Sequence, residues 1–482
     1  MKDLKRKTYK AFAWDFFGKL SNQGVGFIVS IFLARLLLPK EFGIVAMAMV
    51  IISITHVLTD MGLGVALVQK SELNDKHYGS VFYFNIIVGS FLTIIFFLLS
   101  SVIANFYAIK SIEPIFKALS FSFFINSFAN VQRSWLTKHL KFNTLTKSNI
   151  IAGILSGTVG IILAYKGFGV WALVYQTLLA GIIGNLYIYL FTGWRPKLLF
   201  SLNALKDLWG FGFRMFLSGM LNTITSQLDN LIIGKIFSPA TLGYYNRAKS
   251  FNQFVIRYTS GSLMAVFLPT LSAVKDDNER FNSIVYKSFH ILNLVTFFIL
   301  GLLFLTIKDL VIILFTIKWL PSVIFFKILL LAGYGYPFSS LLVNIIASKG
   351  NSKNFFKLEL IKQSMFLLNL FFGFLLGIKG YLYINAVVVF VAFYFNIVYA
   401  SKEINVKVLW FYKIIFPYFI SSILITFIVY LINNFFIIEN IYLHFLFILS
   451  LYSILSLLLG FLFKFKGLRL LIEELKTIYE RR

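Results

Sequence analysis

The chain has no cysteine, which excludes disulfides and thiolate metal sites. Charged residues are scarce at 13%, about half the share usual in soluble domains. Acidic residues are scarcer still, with 19 Asp and Glu against 45 Lys and Arg and a net charge of +26. The five histidines, at 56, 77, 139, 290 and 444, form no His-x-x-x-His or Glu-x-x-His pair, so no metal site is expected. Walker loops, dinucleotide fingerprints and nucleophile motifs are also missing, so no cofactor is expected and no catalytic residue is assigned. No hydrophilic stretch is long enough to fold alone. The positive balance therefore does not indicate nucleic-acid binding, which needs a basic soluble domain.

What remains is apolar. Hydrophobic residues make up 59% of the chain and mean hydropathy is +0.83. Since a bilayer crossing takes about 20 apolar residues, the pattern predicts an all-α, polytopic membrane protein of about 14 transmembrane helices. The expected spans are 12–38, 42–68, 80–106, 112–136, 148–166, 168–192, 209–237, 241–270, 286–307, 322–347, 357–378, 380–400, 413–433 and 440–463. Lys308 to Leu320 is expected as a separate amphipathic element, and Gly467 to Arg482 as a charged surface helix. The first span, preceded by a basic arm, is expected to stay as a membrane anchor.

Lys and Arg collect on the cytoplasmic side of membrane proteins, and alternate joints here are rich in them. The N-terminal arm, then the joints carrying Lys70 and Lys76, Arg133 to Lys147, Arg195 to Lys206, Lys275 to Lys287, Lys349 to Lys362 and Lys402 to Lys413, and finally the tail, form the basic series. Both termini are therefore expected in the cytoplasm. All seven tryptophans fall near expected span ends, where an amphipathic ring prefers the headgroup level.

Shifting the chain by 200 positions brings Pro39 and Gly43 onto Pro239 and Gly243, Asn22 onto Asn222, Ala48 onto Ala248 and Arg35 onto Lys235. Such an echo implies parallel repeats related by an axis along the membrane normal, with a substrate site between them. The expected organisation is an N-terminal lobe at 1–200, a C-terminal lobe at 201–402, and an additional helix pair and tail at 403–482. Gly153 and Gly157, and Gly373 and Gly377, have the small-xxx-small spacing of close helix contacts.

Ionisable groups at membrane depth are costly and usually face a cavity or a partner. They cluster in the two helix pairs that the echo relates. Arg214, Arg257, Lys19, Arg247 and Lys249 are the candidate phosphate-binding cations, because Arg and Lys grip phosphate strongly in a low-dielectric cavity. Structural pairing, and snorkelling of Lys19, Arg247 and Lys249 to the headgroups, are the competing readings. Asp60, His56, Asp229, Gln23 and Gln227 are the polar and ion-coupling candidates. His56 and Asp60, four apart, share one helix face.

Several short motifs stand in order along the chain: Asp60-Met-Gly-Leu-Gly-Val-Ala-Leu-Val-Gln69, Leu242-Gly-Tyr-Tyr-Asn-Arg-Ala248, Phe267-Leu-Pro-Thr-Leu-Ser272 and Lys318-Trp319. With these, the chain resembles the bacterial polysaccharide exporters of the MOP superfamily, and especially Wzx-type flippases of the colanic-acid and O-antigen branch. The likeness covers nearly the full length. Thr316-Ile317 and Asn351 depart from the family pattern, away from the candidate cavity residues.

The resemblance implies two six-helix lobes around a central cavity plus a C-terminal pair. It implies movement of undecaprenyl-diphosphate-linked oligosaccharide repeat units across the bacterial inner membrane, for O-antigen, capsule or exopolysaccharide biosynthesis. It also implies a coupling ion, H+ or Na+, and contact with polysaccharide polymerase machinery. The alternatives are a multidrug exporter of the same superfamily, a lipid II flippase, and a membrane glycan polymerase or ligase, which would be an enzyme. A carrier is the expectation.

Overall fold

Apolar runs of span length, bounded by capping residues and turn-forming glycines, fold as helices because only helices satisfy their own backbone in lipid. The structure, a computed structural model, describes residues 2–256 and 262–480. Packing divides the chain into two compact units, Met1–Asn246 and Arg247–Arg482.

The first unit holds α1 (Lys2–Leu36), α2 (Pro39–Asp60), the short α3 (Leu63–Gln69), α4 (Asp75–Leu98), α5 (Ser100–Tyr107), α6 (Ile112–Ser127), α7 (Asn130–Lys138), α8 (Phe142–Tyr165), α9 (Val170–Phe191) and α10 (Leu202–Ile236), with the start of α11 (Pro239–Ile256). The second holds the rest of α11, then α12 (Ser262–Ala273), α13 (Asn278–Phe315), α14 (Ser322–Gly333), α15 (Tyr336–Ser348), α16 (Ser352–Gly373), α17 (Gly377–Glu403), α18 (Val408–Phe435), α19 (Ile441–Leu462) and α20 (Lys466–Glu480). Several expected spans are broken in two. Met61 and Gly62, at φ of 45° and 73°, separate α2 from α3, and Pro337 opens α15. When α2 is joined to α3, α4 to α5, α6 to α7, α11 to α12 and α14 to α15, the helices preceding α20 make fourteen segments among the described residues. Nine stretches of the described residues are long and apolar enough to cross a membrane on those criteria alone.

Side-chain bonds gather alternate joints of the first unit at one end. Lys138 Nζ donates to the carbonyl oxygens of Leu67 (3.2 Å) and Lys70. Lys70 pairs with Asp207, and Lys197 with Asp75. At the opposite end Lys235 donates to the Phe106 carbonyl, and Gly169 lies against the Glu41 carboxylate. The second unit also gathers alternate joints. Lys349 reaches Lys275 O (2.5 Å) and Asn278 Oδ1 (3.1 Å), while Asn351 and Asn354 both donate to Glu403 Oε1, at 2.7 and 3.0 Å.

Glycines set the closest helix approaches. On α8, Gly157 and Gly153 lie against Val29 and Val25 of α1, the packing role expected of that pair. Gly377 does not pack: its φ of 75° and open surroundings make it the joint between α16 and α17. Lys308–Leu320 is not a separate element either. Helix α13 runs on to Phe315, because Val311 and Phe315 are buried there, and a single 3₁₀ turn, Ile317–Trp319, follows. Trp319 and Trp194 are core residues, 0% and 7% exposed, rather than headgroup anchors. α20 forms where the charged tail helix was expected. Its Gly467 N–H donates to Tyr418 Oη at 2.9 Å, and Tyr418 Oη also meets His290 Nδ1 at 2.8 Å.

Candidate functional site

The candidates on α2 sit inside the first unit. Asp60, at the C-terminal end of α2, accepts from the Gly64 N–H (2.9 Å) and from Asn85 Nδ2 of α4 (3.3 Å). The positive-φ turn at Met61 and Gly62 breaks the helix there, and the Gly64 amide of α3 reaches that carboxylate. His56, one turn earlier, does not bond to Asp60 among the described residues. It lines a cavity of about 170 Å³ with Met49, Ser53, Ser122, Asn126 and Thr177 among its walls.

Sequence reasoning missed the other members of this interior. Arg133, counted as a joint charge, is part-buried on α7 and donates to Asn185 Oδ1 at 3.0 Å. Asn185 in turn donates to Ile125 O (2.8 Å) and to Asn126 Oδ1 (3.3 Å), so α6, α7 and α9 are tied through one amide. The overlooked signal was the asparagines: Asn85, Asn126 and Asn185 recur within or beside the apolar spans, whereas Gln23 and Gln227 are the amides that the sequence singled out. Thr59 Oγ1, Asn85 Oδ1 and Ser122 Oγ are buried without a hydrogen-bond partner among the described residues, which at this depth leaves acceptors for water or an ion.

On α10, Arg214 is exposed and forms no hydrogen bond or ion pair with the described residues. Asp229, fifteen positions on, is 5% exposed and accepts from the Tyr245 hydroxyl and from the Asn230 N–H (2.8 Å). Gln227 Oε1 accepts from Asn230 Nδ2 at 3.0 Å. Gln23 is half-buried on α1. Lys19 belongs to the same helix, but its side chain lies outside the description, and Arg257 lies outside the described residues.

Arg247 and Lys249 fall in the second unit. The Arg247 guanidinium sits over the rings of Phe315 and Trp319, 4.7 and 4.8 Å from their centroids, a cation–π arrangement favoured where water is excluded. It therefore does not snorkel, and its rings explain why a tryptophan stands at 319. Lys249 is half-buried. Also in this unit, His444 of α19 bridges Asp309 of α13 (2.5 Å) and Asn433 of α18 (2.9 Å). Among the described residues no three His, Asp or Glu side chains converge as metal ligands would.

Where the joints of the first unit meet, Lys70 and His77 both reach one oxygen of Asp207, His77 Nε2 at 3.1 Å. Lys70 first, then His77, holds the Asp207 carboxyl below its usual range by donating hydrogen bonds to the ionised form.

A helical chain with this many span-length apolar segments, ionisable and amide side chains inside its bundles, and joints alternating in charge is a multi-pass membrane protein. The family described as polysaccharide biosynthesis protein matches residues 32–324, and the chain belongs to it. An uncharacterized membrane protein in the cps region of Klebsiella pneumoniae is 26% identical over 77% of each chain. The lipopolysaccharide biosynthesis protein WzxC of Escherichia coli (strain K12) is 24% identical, over 76% of this chain and 74% of its own. In fold the chain is similar to the lipid II flippase MurJ in its inward closed conformation, with a TM-score of 0.72 at 16% identity, covering 93% of this chain and 98% of that one. A multidrug resistance MATE family transporter of the MOP superfamily has a TM-score of 0.59 at 16% identity, covering 80% and 95%.

Proposed function

We infer that this chain is a flippase that moves undecaprenyl-diphosphate-linked oligosaccharide repeat units across the bacterial inner membrane for surface polysaccharide biosynthesis. The observation that carries the reading is the family match over residues 32–324, supported by the relative WzxC, whose name places it in lipopolysaccharide biosynthesis. The basic joints face the cytoplasm in this reading, with both termini, by the positive-inside rule. Residues 1–200 and 201–402 act as the two related lobes, and 403–482 as the appended pair and tail.

Arg214, Arg257, Lys19 and Lys249 are the diphosphate contacts in this proposal. Arg247 acts as a positioning residue through its aromatic cage. The lipid tail stays among the helices while the glycan takes the wetter path, and one lobe rocks against the other. His56 and Asp60, with Asp229, Gln23 and Gln227 as polar support, are assigned to the coupling ion, H+ or Na+. Contact with polysaccharide polymerase machinery follows from the product's fate. The chain works as a carrier and makes no glycosidic bond. Multidrug export is the weaker reading, since a cationic lining repels cationic drugs.

Reconstitution into vesicles with a fluorescent undecaprenyl-diphosphate oligosaccharide tests this. The wild type should expose the label to an external quencher, and Arg214→Ala and Arg257→Ala should slow that by about tenfold, the size of a lost charge-assisted contact. Unchanged rates would remove both arginines from the mechanism, and a wild type that moves no lipid-linked glycan would end the flippase reading. New glycosidic bonds would mark an enzyme.

A further inference from the structure

The joint between α3 and α4 carries an arrangement that the flippase reading leaves unused. Lys70 Nζ and His77 Nε2 converge on a single oxygen, Asp207 Oδ2. The carboxylate arrives from α10, more than a hundred residues away in sequence, and half of its side chain, 51%, is open to solvent. The two donors are the better-held partners, at 27% and 12% exposure. The frame beneath them is also fixed. Lys138 caps the carbonyls of Leu67 and Lys70, and Asn74 holds the His77 ring, with Oδ1 2.7 Å from Nδ1. The ring Nδ1 also accepts from the Asn74 N–H at 3.3 Å, which leaves Nε2 as the ring's donor toward Asp207.

Two convergent donors on a braced frame, filled by an exposed carboxylate from elsewhere in the chain, form an anion site occupied by an internal stand-in. We propose that Lys70 and His77 are the entry site for the diphosphate of the lipid-borne substrate, and that Asp207 holds this site until a diphosphate displaces it. The proposal rests on the flippase reading and adds to it a second phosphate contact and a source of specificity. A carboxylate offers one charge. A diphosphate offers more charge and more acceptor oxygens, and so exchanges favourably. Monoanionic lipid headgroups, which match the carboxylate in charge, do not gain by the exchange. Asp207 thereby filters bulk phospholipid from substrate at the basic end.

Binding of a glycan-free polyisoprenyl diphosphate to the full chain, in nanodiscs of neutral lipid, reads this site without requiring transport. Asp207→Asn should bind about tenfold tighter than the wild type, because the internal competitor is gone, and should also become sensitive to added phosphatidylglycerol. The pair Lys70→Gln with His77→Gln should bind about tenfold more weakly. An Asp207→Asn chain that binds no tighter, or a double variant that binds like the wild type, would leave the triad a structural clasp and overturn the proposal. Inorganic pyrophosphate competing as well as the lipid diphosphate would assign the site to free anions instead, which also overturns it. Because no flipping is measured, failure here leaves the vesicle experiment standing, and failure there leaves this binding result standing.

Discussion

Arg247 and Arg133 carry the same charge in unlike surroundings. Arg247 lies over Phe315 and Trp319, whereas Arg133 meets an amide, Asn185. Aromatic faces pack against the first guanidinium and an amide oxygen accepts from the second. Lys at position 247 would keep the charge but lose the planar stacking. At Asp207 the surroundings set a pH dependence. Its folded carboxyl is depressed by Lys70 and His77, so the pairing contributes stability above the usual aspartate pKa of about 3.9. That contribution is lost as pH falls through the lower folded value. Melting curves in detergent should place the wild type above Asp207→Asn at pH 7, with the gap closing as the pH is taken below the carboxylate range. A gap independent of pH would mean that the ion pairing contributes nothing.

The elements meet through glycines, and one pair of contacts is reciprocal. Gly43 of α2 lies against the Pro239 carbonyl that opens α11, and Gly243 of α11 lies against the Pro39 carbonyl that opens α2. The positions are those paired by the 200-residue echo, so each of these two helices presents its glycine to the proline that opens the other. A Cβ at either site meets backbone, which cannot rotate away as a side chain does. Gly43→Val should therefore lower the melting temperature by more than Gly219→Val, where only the Val57 side chain lies within 4 Å. Gly157→Leu should cost about 1–3 kcal/mol through overpacking against Val29 of α1, read from unfolding in detergent. Equal stability of Gly43→Val and Gly219→Val would show that the carbonyl contact yields easily.

For the whole molecule, the flippase reading puts both termini and every basic joint in the cytoplasm. The absence of cysteine makes the check direct. Single cysteines introduced at Thr8, Lys141 and Arg469 should be shielded from an impermeant maleimide in intact cells, and cysteines at Lys110, Lys166 and Lys379 should be labelled. Labelling at the first three and protection at the others would invert the orientation, and with it the direction of transport.

Much of this protein was readable from residue order. The apolar segments, the alternation of joints and the α8 glycine packing follow from local sequence, because the bilayer acts on each segment separately: apolar length, flanking charge and backbone satisfaction are local properties; the family resemblance rested instead on short ordered motifs. The partners of those segments required the fold. That Arg133 lies inside, that Asn185 ties three helices, that His56 and Asp60 point to different neighbours, and that Lys70 and His77 converge on Asp207 depend on contacts between residues far apart in the chain. Such contacts are set by which helix faces pack together, and in spans that are apolar nearly all round no periodicity marks the packed face.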